Sequence, residues 1–506
     1  MKTNIGRKLQ YLGATGALLI LIVACGQSDQ EAGNDEYGAG STAGAAKIPI
    51  TTSSDEARAL YMQGRQLSDD LLIVEANELF RQVVEIDSSF SMGHYMAALT
   101  AQSNAEFFDA IGKANDLAAN ASEGEQLVIA ALYSASENDQ ASQGAALEKL
   151  LEMYPGDERA HVGMANFLLG QQDFEGAVAQ FEQAVAIAPD FASAHNALGY
   201  AYRNLEDFES ARGSFERYVE LIPNEANPYD SLAELLMEMG NYDESIENYR
   251  KALSINEYFP ASYAGLAINY SLKGDTELAI EAADQMSAAA RNFVERQGAL
   301  FQLTTSHLFA GNVDAAMDAA DLMYAEAEVS RKHDAMGATS EYMGDIMMAT
   351  GDATRAEELY DAALDHRLQA DFNEANKAQA ARAHLFKTAI AAMVGGQSAL
   401  AAERTAEYLV AVEAAGTAFE KIRGHEVSAF LAMHNEDLES AASHFANASQ
   451  LNPIVLYWSA VVHRGLGNLD EARELAERAA NRNTLSQNLP FFRAAAIELG
   501  AELAAD

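Results

Sequence analysis

The sequence predicts an all-α solenoid of about eleven antiparallel helix pairs stacked side by side. Three observations carry this. One pattern returns every 34 residues: Pro155, Pro189 and Pro223 are in register, as are His161, His195, Tyr229 and Tyr263, and Ala177, Ala211, Ser245 and Ala279. A fixed period of that size marks a repeat architecture. Within each period, two apolar faces at helical spacing flank a short polar turn. The 506 residues also exceed what a single core organises, a limit that stacked units escape because each buries only against its neighbours.

Residues 192–225 show one unit. His195, Leu198, Gly199 and Tyr202 fall on one face of a first helix, and Phe208, Ala211, Phe215 and Tyr218 on one face of a second. Gly199 and Ala211 are small where the two helices approach closely. The turn residue is Asp173, Asp207, Asn241 and Asp275 in successive units, and a short acceptor there caps the free N–H groups of the second helix. Asn241 with Glu244 and Asn468 with Glu471 have capping-box spacing. Pro189 and Pro223 stop the second helix, because proline lacks the N–H and clashes with the preceding turn.

This unit resembles the tetratricopeptide repeat, an antiparallel helix pair. At the signature positions, 192–225 reads His195, Leu198, Gly199, Tyr202, Ala211, Phe215 and Pro223, with His195 where the family prefers Trp and Tyr218 where it prefers Ala. The unit at 158–191 fits as well; those starting at 226 and 260 fit with Ser245 for Ala, Glu257 for Pro and Ala283 for an aromatic. The resemblance implies a concave groove, lined by the first helices, that binds peptides.

Taken in order, residues 1–24 read as a signal peptide. Lys2, Arg7 and Lys8 precede the apolar run Leu12–Ala24, which is shorter than the roughly 20 residues a bilayer span requires. The run ends in Val23-Ala24-Cys25-Gly26, which resembles a bacterial lipobox and implies lipid attachment at Cys25, the only cysteine. Residues 25–51 read as a lipid-anchored flexible tether, rich in Gly, Ala, Ser and acids. Residues 52–157 read as irregular repeat-like helices, with a loop at Ser134–Gly144, and 158–291 as the regular array. Residues 292–486 continue the array with stretched spacing, and 487–506 supply a capping helix for its end.

The net charge of −42 argues against nucleic acid and anionic lipid surfaces and favours a basic partner or plain solubility. Carried over from the resemblance, the groove candidates are Asn166, Asn196, Tyr200, Arg203, Asp230, Glu234 and Met237. Asn can both donate to and accept from a peptide backbone. The family's carboxylate clamp is not matched, since Val162 replaces its Lys and Asn227 and Ser231 stand where basic residues belong. Phosphate-binding Gly-Lys-Ser/Thr loops, GxGxxG, GxSxG and HExxH are all missing from the sequence. The eleven histidines show no metal-binding spacing; His425, His434 and His444 match no helical pattern, and His161 and His195 take the aromatic packing position. The expectation is a non-enzymatic protein–protein interaction scaffold of the bacterial cell envelope, without cofactor or metal. It is lipid-anchored, with the outer membrane favoured. A solute-capture lipoprotein partnering an outer-membrane transporter is the alternative, disfavoured because the only Trp, Trp458, lies inside a repeat.

Overall fold

The computed structural model describes residues 47–70, 72–483 and 489–505. Among the described residues, regular structure is helical throughout, with no strand. The helices follow one another as α1 (Asp55–Asp69) and α2 (Ile73–Ile86), α3 (Ser91–Leu99) and α4 (Asn104–Leu117), α5 (Glu123–Ser136) and α6 (Gln140–Met153), α7 (Glu158–Gly170) and α8 (Phe174–Ile187), α9 (Ala192–Asn204) and α10 (Phe208–Leu221), α11 (Ala226–Glu238) and α12 (Tyr242–Ile255). They continue as α13 (Pro260–Lys273) and α14 (Thr276–Ala289), α15 (Phe293–Phe309) and α16 (Val313–Val329), α17 (His333–Thr350) and α18 (Ala353–Gln369), α19 (Glu374–Val394) and α20 (Ser398–Ala415), α21 (Ala418–His434) and α22 (Leu438–Phe445), α23 (Pro453–Leu466) and α24 (Leu469–Asn481), then α25 (Leu489–Ala505). That is twelve helix–turn–helix units and one terminal helix. The unit beyond the eleven expected is α3–α4, whose small residues do not follow the repeat's order.

By contacts, the described residues form two compact units: one holds residues up to 235 with 244–262, the other 236–243 with 263–505. The same packing step builds both. A small residue on the first helix stands sixteen before an aromatic on the second: Gly64/Phe80, Ala165/Phe181, Gly199/Phe215 and Ala233/Tyr249 in the first unit, Gly344/Tyr360, Ala392/Tyr408 and Ala429/Phe445 in the second. All seven aromatics are buried. A Cβ added at Gly199 would come within 2.7 Å of the Phe215 ring, and one at Gly344 within 2.5 Å of Tyr360. The small residue is therefore a condition of helix approach.

Most of the turns share one geometry. The residue before the second helix's N-cap is left-handed, as at Gln172 and Glu206 (φ 61° at both), Gly351 (φ 88°) and Gly467 (φ 82°). The following N–H then reaches back across the turn, as from Asp207 to the Tyr202 carbonyl at 3.1 Å. Asp173 and Asp207 cap as expected, accepting from Gly176 and Ser210 N–H. Asp275 makes no side-chain cap bond, and neither does Asn468, whose predicted capping box does not form. The Asn468 amide turns to His463 Nδ1 at 3.4 Å instead. The capping boxes that do form are Ser122/Glu125 and Thr417/Glu420. The loop expected at Ser134–Gly144 shrinks to residues 137–139, because Asp139 accepts from Ser142 N–H and starts α6 there.

In the first unit, residues 47–52 run without helix along the starts of several helices. Asp157 accepts the Ile48 N–H at 2.9 Å, Glu125 accepts the Thr51 N–H at 2.7 Å, and Asp87 accepts the Thr52 hydroxyl at 2.6 Å. Lys47 pairs with Glu158. This stretch is the end of the segment expected as tether. In the second unit, α25 buries Leu489, Phe492, Ala496 and Leu503, and Arg473 of α24 donates to the Leu503 carbonyl at 2.8 Å. Asn483 also meets a distant turn: its amide donates to the Glu238 carbonyl at 3.3 Å and its oxygen accepts from the Tyr242 hydroxyl at 3.0 Å.

Candidate functional site

Two rows of polar side chains cross successive first helices, one in each unit. The first crosses α9, α11 and α13. Asn196, Tyr200 and Arg203 lie on one face of α9 at helical spacing. The Tyr200 hydroxyl donates to Glu234 at 3.0 Å, and Arg203 pairs with the same carboxylate at 2.5 Å. The Arg203 guanidinium also lies over the Tyr200 ring, 4.7 Å from its centre. Tyr200 packs edge-on against Phe215 at 5.0 Å, so this cluster is rigid before any ligand arrives. On α11, Asp230 accepts the Ser262 hydroxyl of α13 at 2.6 Å. Burial raises the Asp230 carboxyl to about 7, opposed by Ser262 and assisted by Glu234. Burial likewise raises the Tyr200 phenol far above its ordinary range.

The groove candidates thus divide. Asn166 is exposed, and Asn196, Tyr200, Arg203 and Glu234 are half-buried. Asn196 Oδ1 is itself out of contact with solvent and has no hydrogen-bond partner. Asp230 is buried, and Met237, expected at the groove surface, is completely buried. Met237 is therefore packing, on a helix so covered that Leu235 and Leu236 are buried as well. Cys25, the expected lipid site, lies outside the described residues.

The second row crosses α17, α19 and α21 and was not anticipated. Lys387 bonds both oxygens of Asp345, at 2.6 and 2.8 Å, and Tyr360 donates to Asp345 at 2.8 Å. Arg367 bonds Glu341 at 2.8 Å. Arg382 bonds both oxygens of Glu420 at 2.8 and 3.1 Å. Arg423 stacks 3.8 Å from the centre of the Phe386 ring and lies 3.9 Å from Glu426. Four cations face four carboxylates, so the row is charge-balanced. Burial opposes ionisation of Glu341, but Arg367 and Lys387 outweigh it and hold that carboxyl below its ordinary value. Its members sit at irregular spacing in the stretched part of the array, so no 34-residue register points to them.

The histidines at the aromatic packing position do more than fill space. His195 Nε2 lies 3.0 Å from the Pro189 carbonyl and His161 Nε2 3.1 Å from that of Pro155. Tyr229 donates to the Pro223 carbonyl at 3.0 Å, and His94 Nε2 lies 3.1 Å from the Ser88 carbonyl. Each polar ring tip thus satisfies a carbonyl six residues back, where the chain leaves the preceding second helix. Two further pairs, His333/His366 and His425/His444, meet across hairpins. No group of three or more metal-ligating side chains is found among the described residues.

Family models of the tetratricopeptide repeat match this chain at residues 130–190, 162–226 and 430–487, and a second such model at 226–259. Tetratricopeptide repeats are thus present in both units. A comparison with curated proteins finds no match. Among solved structures, the chain is similar to a tetratricopeptide repeat protein from Parabacteroides merdae, at 14% identity over 53% of this chain and 98% of that one, with a TM-score of 0.38. It is similar to PilW, described as a type IV pilus biogenesis factor, at 17% identity over 41% and 98% of the two chains and a TM-score of 0.34. It is also similar to a chain of the APC/C hetero-tetramer Cut9–Hcn1, at 15% identity over 84% and 76% and a TM-score of 0.34. Proteins built from these repeats are generally protein–protein interaction scaffolds.

Proposed function

We propose that this chain is a non-enzymatic scaffold of the bacterial cell envelope, held at the membrane by lipid on Cys25, which binds a protein or peptide segment on the first-helix face of α7, α9 and α11. One observation carries the binding site: Asn196 Oδ1 is shielded from water with no donor. A buried acceptor left unpaired costs about 1–3 kcal/mol, and a turn of the half-buried Asn196 amide toward the surface would let a backbone N–H of an extended segment recover that. Tyr200 and Arg203, on the same face of α9, present a stacking surface already locked by Glu234, so little ordering is lost on binding. Asn166 is exposed one unit earlier. The first unit also takes an extended stretch of its own chain on helix-start carboxylates. The acid surplus suits a basic segment. Among the described residues no helix is long and apolar enough to cross a membrane, so attachment rests on the lipid.

The test is photo-crosslinking in intact cells from Asn166 and Asn196, with controls at Glu209 and Glu247, which are exposed on second helices. The expected result is one discrete protein, joined through one peptide, from the first-helix positions alone. Equal capture from the controls, or none from either face, would reject the groove; the latter would favour capture of a small solute.

A further inference from the structure

Two histidine pairs meet in the same way on two different hairpins. His333 Nδ1 lies 3.3 Å from His366 Nδ1, and His425 Nδ1 lies 3.3 Å from His444 Nδ1. The ring planes are tilted by 37° and 43°, so neither pair is a parallel stack. The separation is at the long end of the range for a hydrogen bond. It matches the edge of a zinc tetrahedron: two nitrogens about 2.05 Å from the ion, at the tetrahedral angle, stand about 3.3 Å apart.

We propose that His333 and His366 hold a divalent d-block cation, zinc foremost, through their Nδ1 atoms. This pair is the better built of the two. The Tyr324 hydroxyl lies 2.9 Å from His366 Nε2, and fixing the outer nitrogen sets the tautomer and orientation that a ligating ring needs. Glu328 and Asp365 contribute negative potential at the same ring without being ligands. With no third side chain in reach, water completes the shell, and the site is open and exchangeable, unlike a closed structural zinc site.

Its position gives the ion a mechanical effect. Tyr324 is on α16, His333 is the first residue of α17, and His366 is near the end of α18. A cation there clips three consecutive helices around the turn at Arg331, which is left-handed at φ 53°. Binding to the folded state alone raises stability by mass action.

The experiment measures Zn²⁺ binding by equilibrium dialysis to the full chain carrying His444→Gln, which removes the second pair, with thermal unfolding followed in parallel. One zinc per chain and a zinc-dependent rise in Tm are expected. Adding His366→Gln should abolish both, while far-UV circular dichroism stays unchanged. Tyr324→Phe in the His444→Gln chain should weaken binding about tenfold. No zinc bound to the His444→Gln chain, or equal binding after His366→Gln is added, overturns the site. Unchanged affinity in Tyr324→Phe overturns the role of the tyrosine.

Discussion

The two first-helix rows begin from the same arrangement and meet different partners. On α11, Asp230 and Glu234 stand four residues apart; on α17, Glu341 and Asp345 do the same. The next first helix decides the difference. It brings Ser262 to Asp230 at 2.6 Å, a hydroxyl with no charge, and Lys387 to Asp345 at 2.6 Å, a full countercharge. Burial raises both carboxyls to about 7, against the Ser262 hydroxyl at Asp230 and against the Lys387 ammonium at Asp345. Only the second is tied by an ammonium into a wider set of charges, which continues through Glu341 and Arg367. The charge-matched row fastens helices to each other. The other row leaves the buried Asn196 oxygen without a hydrogen bond.

The sharpest way to break this comparison is to remove the countercharge. Lys387→Met strands Asp345, which is 1% exposed, and should cost about 3–5 kcal/mol in denaturant unfolding. Adding Asp345→Leu should recover most of it, since an apolar pair in place of a buried ion pair is often neutral. A cost below about 1 kcal/mol for the single variant would mean the second row is not a fastening.

The first row is sharpened through pH. The Asp230 carboxyl is raised from 3.8 to about 7 in the fold. The folded chain therefore keeps this proton where the unfolded chain releases it, and the associated stability is lost as pH rises from about 4 to about 7. Between pH 5 and pH 8 the wild-type chain should lose about 2–3 kcal/mol that Asp230→Asn does not. Parallel pH profiles of the two proteins would show that Asp230 titrates normally.

Smaller effects test what the rows share. Gly199→Ala and Gly344→Ala put a methyl group against Phe215 and Tyr360, and each should cost about 1–3 kcal/mol. Thermal unfolding that separates them widely would mean the two regions do not use one packing step. The smallest change runs the other way. Glu206 is left-handed at φ 61° where equivalent turns carry Gly351 and Gly467, so Glu206→Gly should stabilise by about 0.5–1 kcal/mol. A lower Tm would assign the Glu206 side chain a role that outweighs its backbone strain.

Much of the frame was legible in the residues. The 34-residue register placed α7 to α12, because each packing position there is filled by the residue type that its neighbours require. Asp173 and Asp207 cap as their chemistry demands. Asn468 does not, since a histidine five residues earlier competes for its amide. The sixteen-residue step from Gly344 to Tyr360 was equally present in the sequence and survives where the 34-residue period fails, because it spans one hairpin and ignores the variable link between hairpins. The register put Asn196, Tyr200 and Arg203 at helical spacing on α9, but it could not show that Met237 is buried.

Local chemistry alone therefore decided the helices, their turns and the pairing of each first helix with its second, since those interactions lie within about forty residues of chain. Tertiary structure decided the rest. Asp345 and Lys387 are 42 residues apart, and Asn483 reaches the turn after Glu238 across 245 residues. Such contacts depend on how the links set one helix pair against the next. Those links vary in length and carry no repeated residue, so charge balance and the unpaired acceptor on α9 are properties of the assembled array.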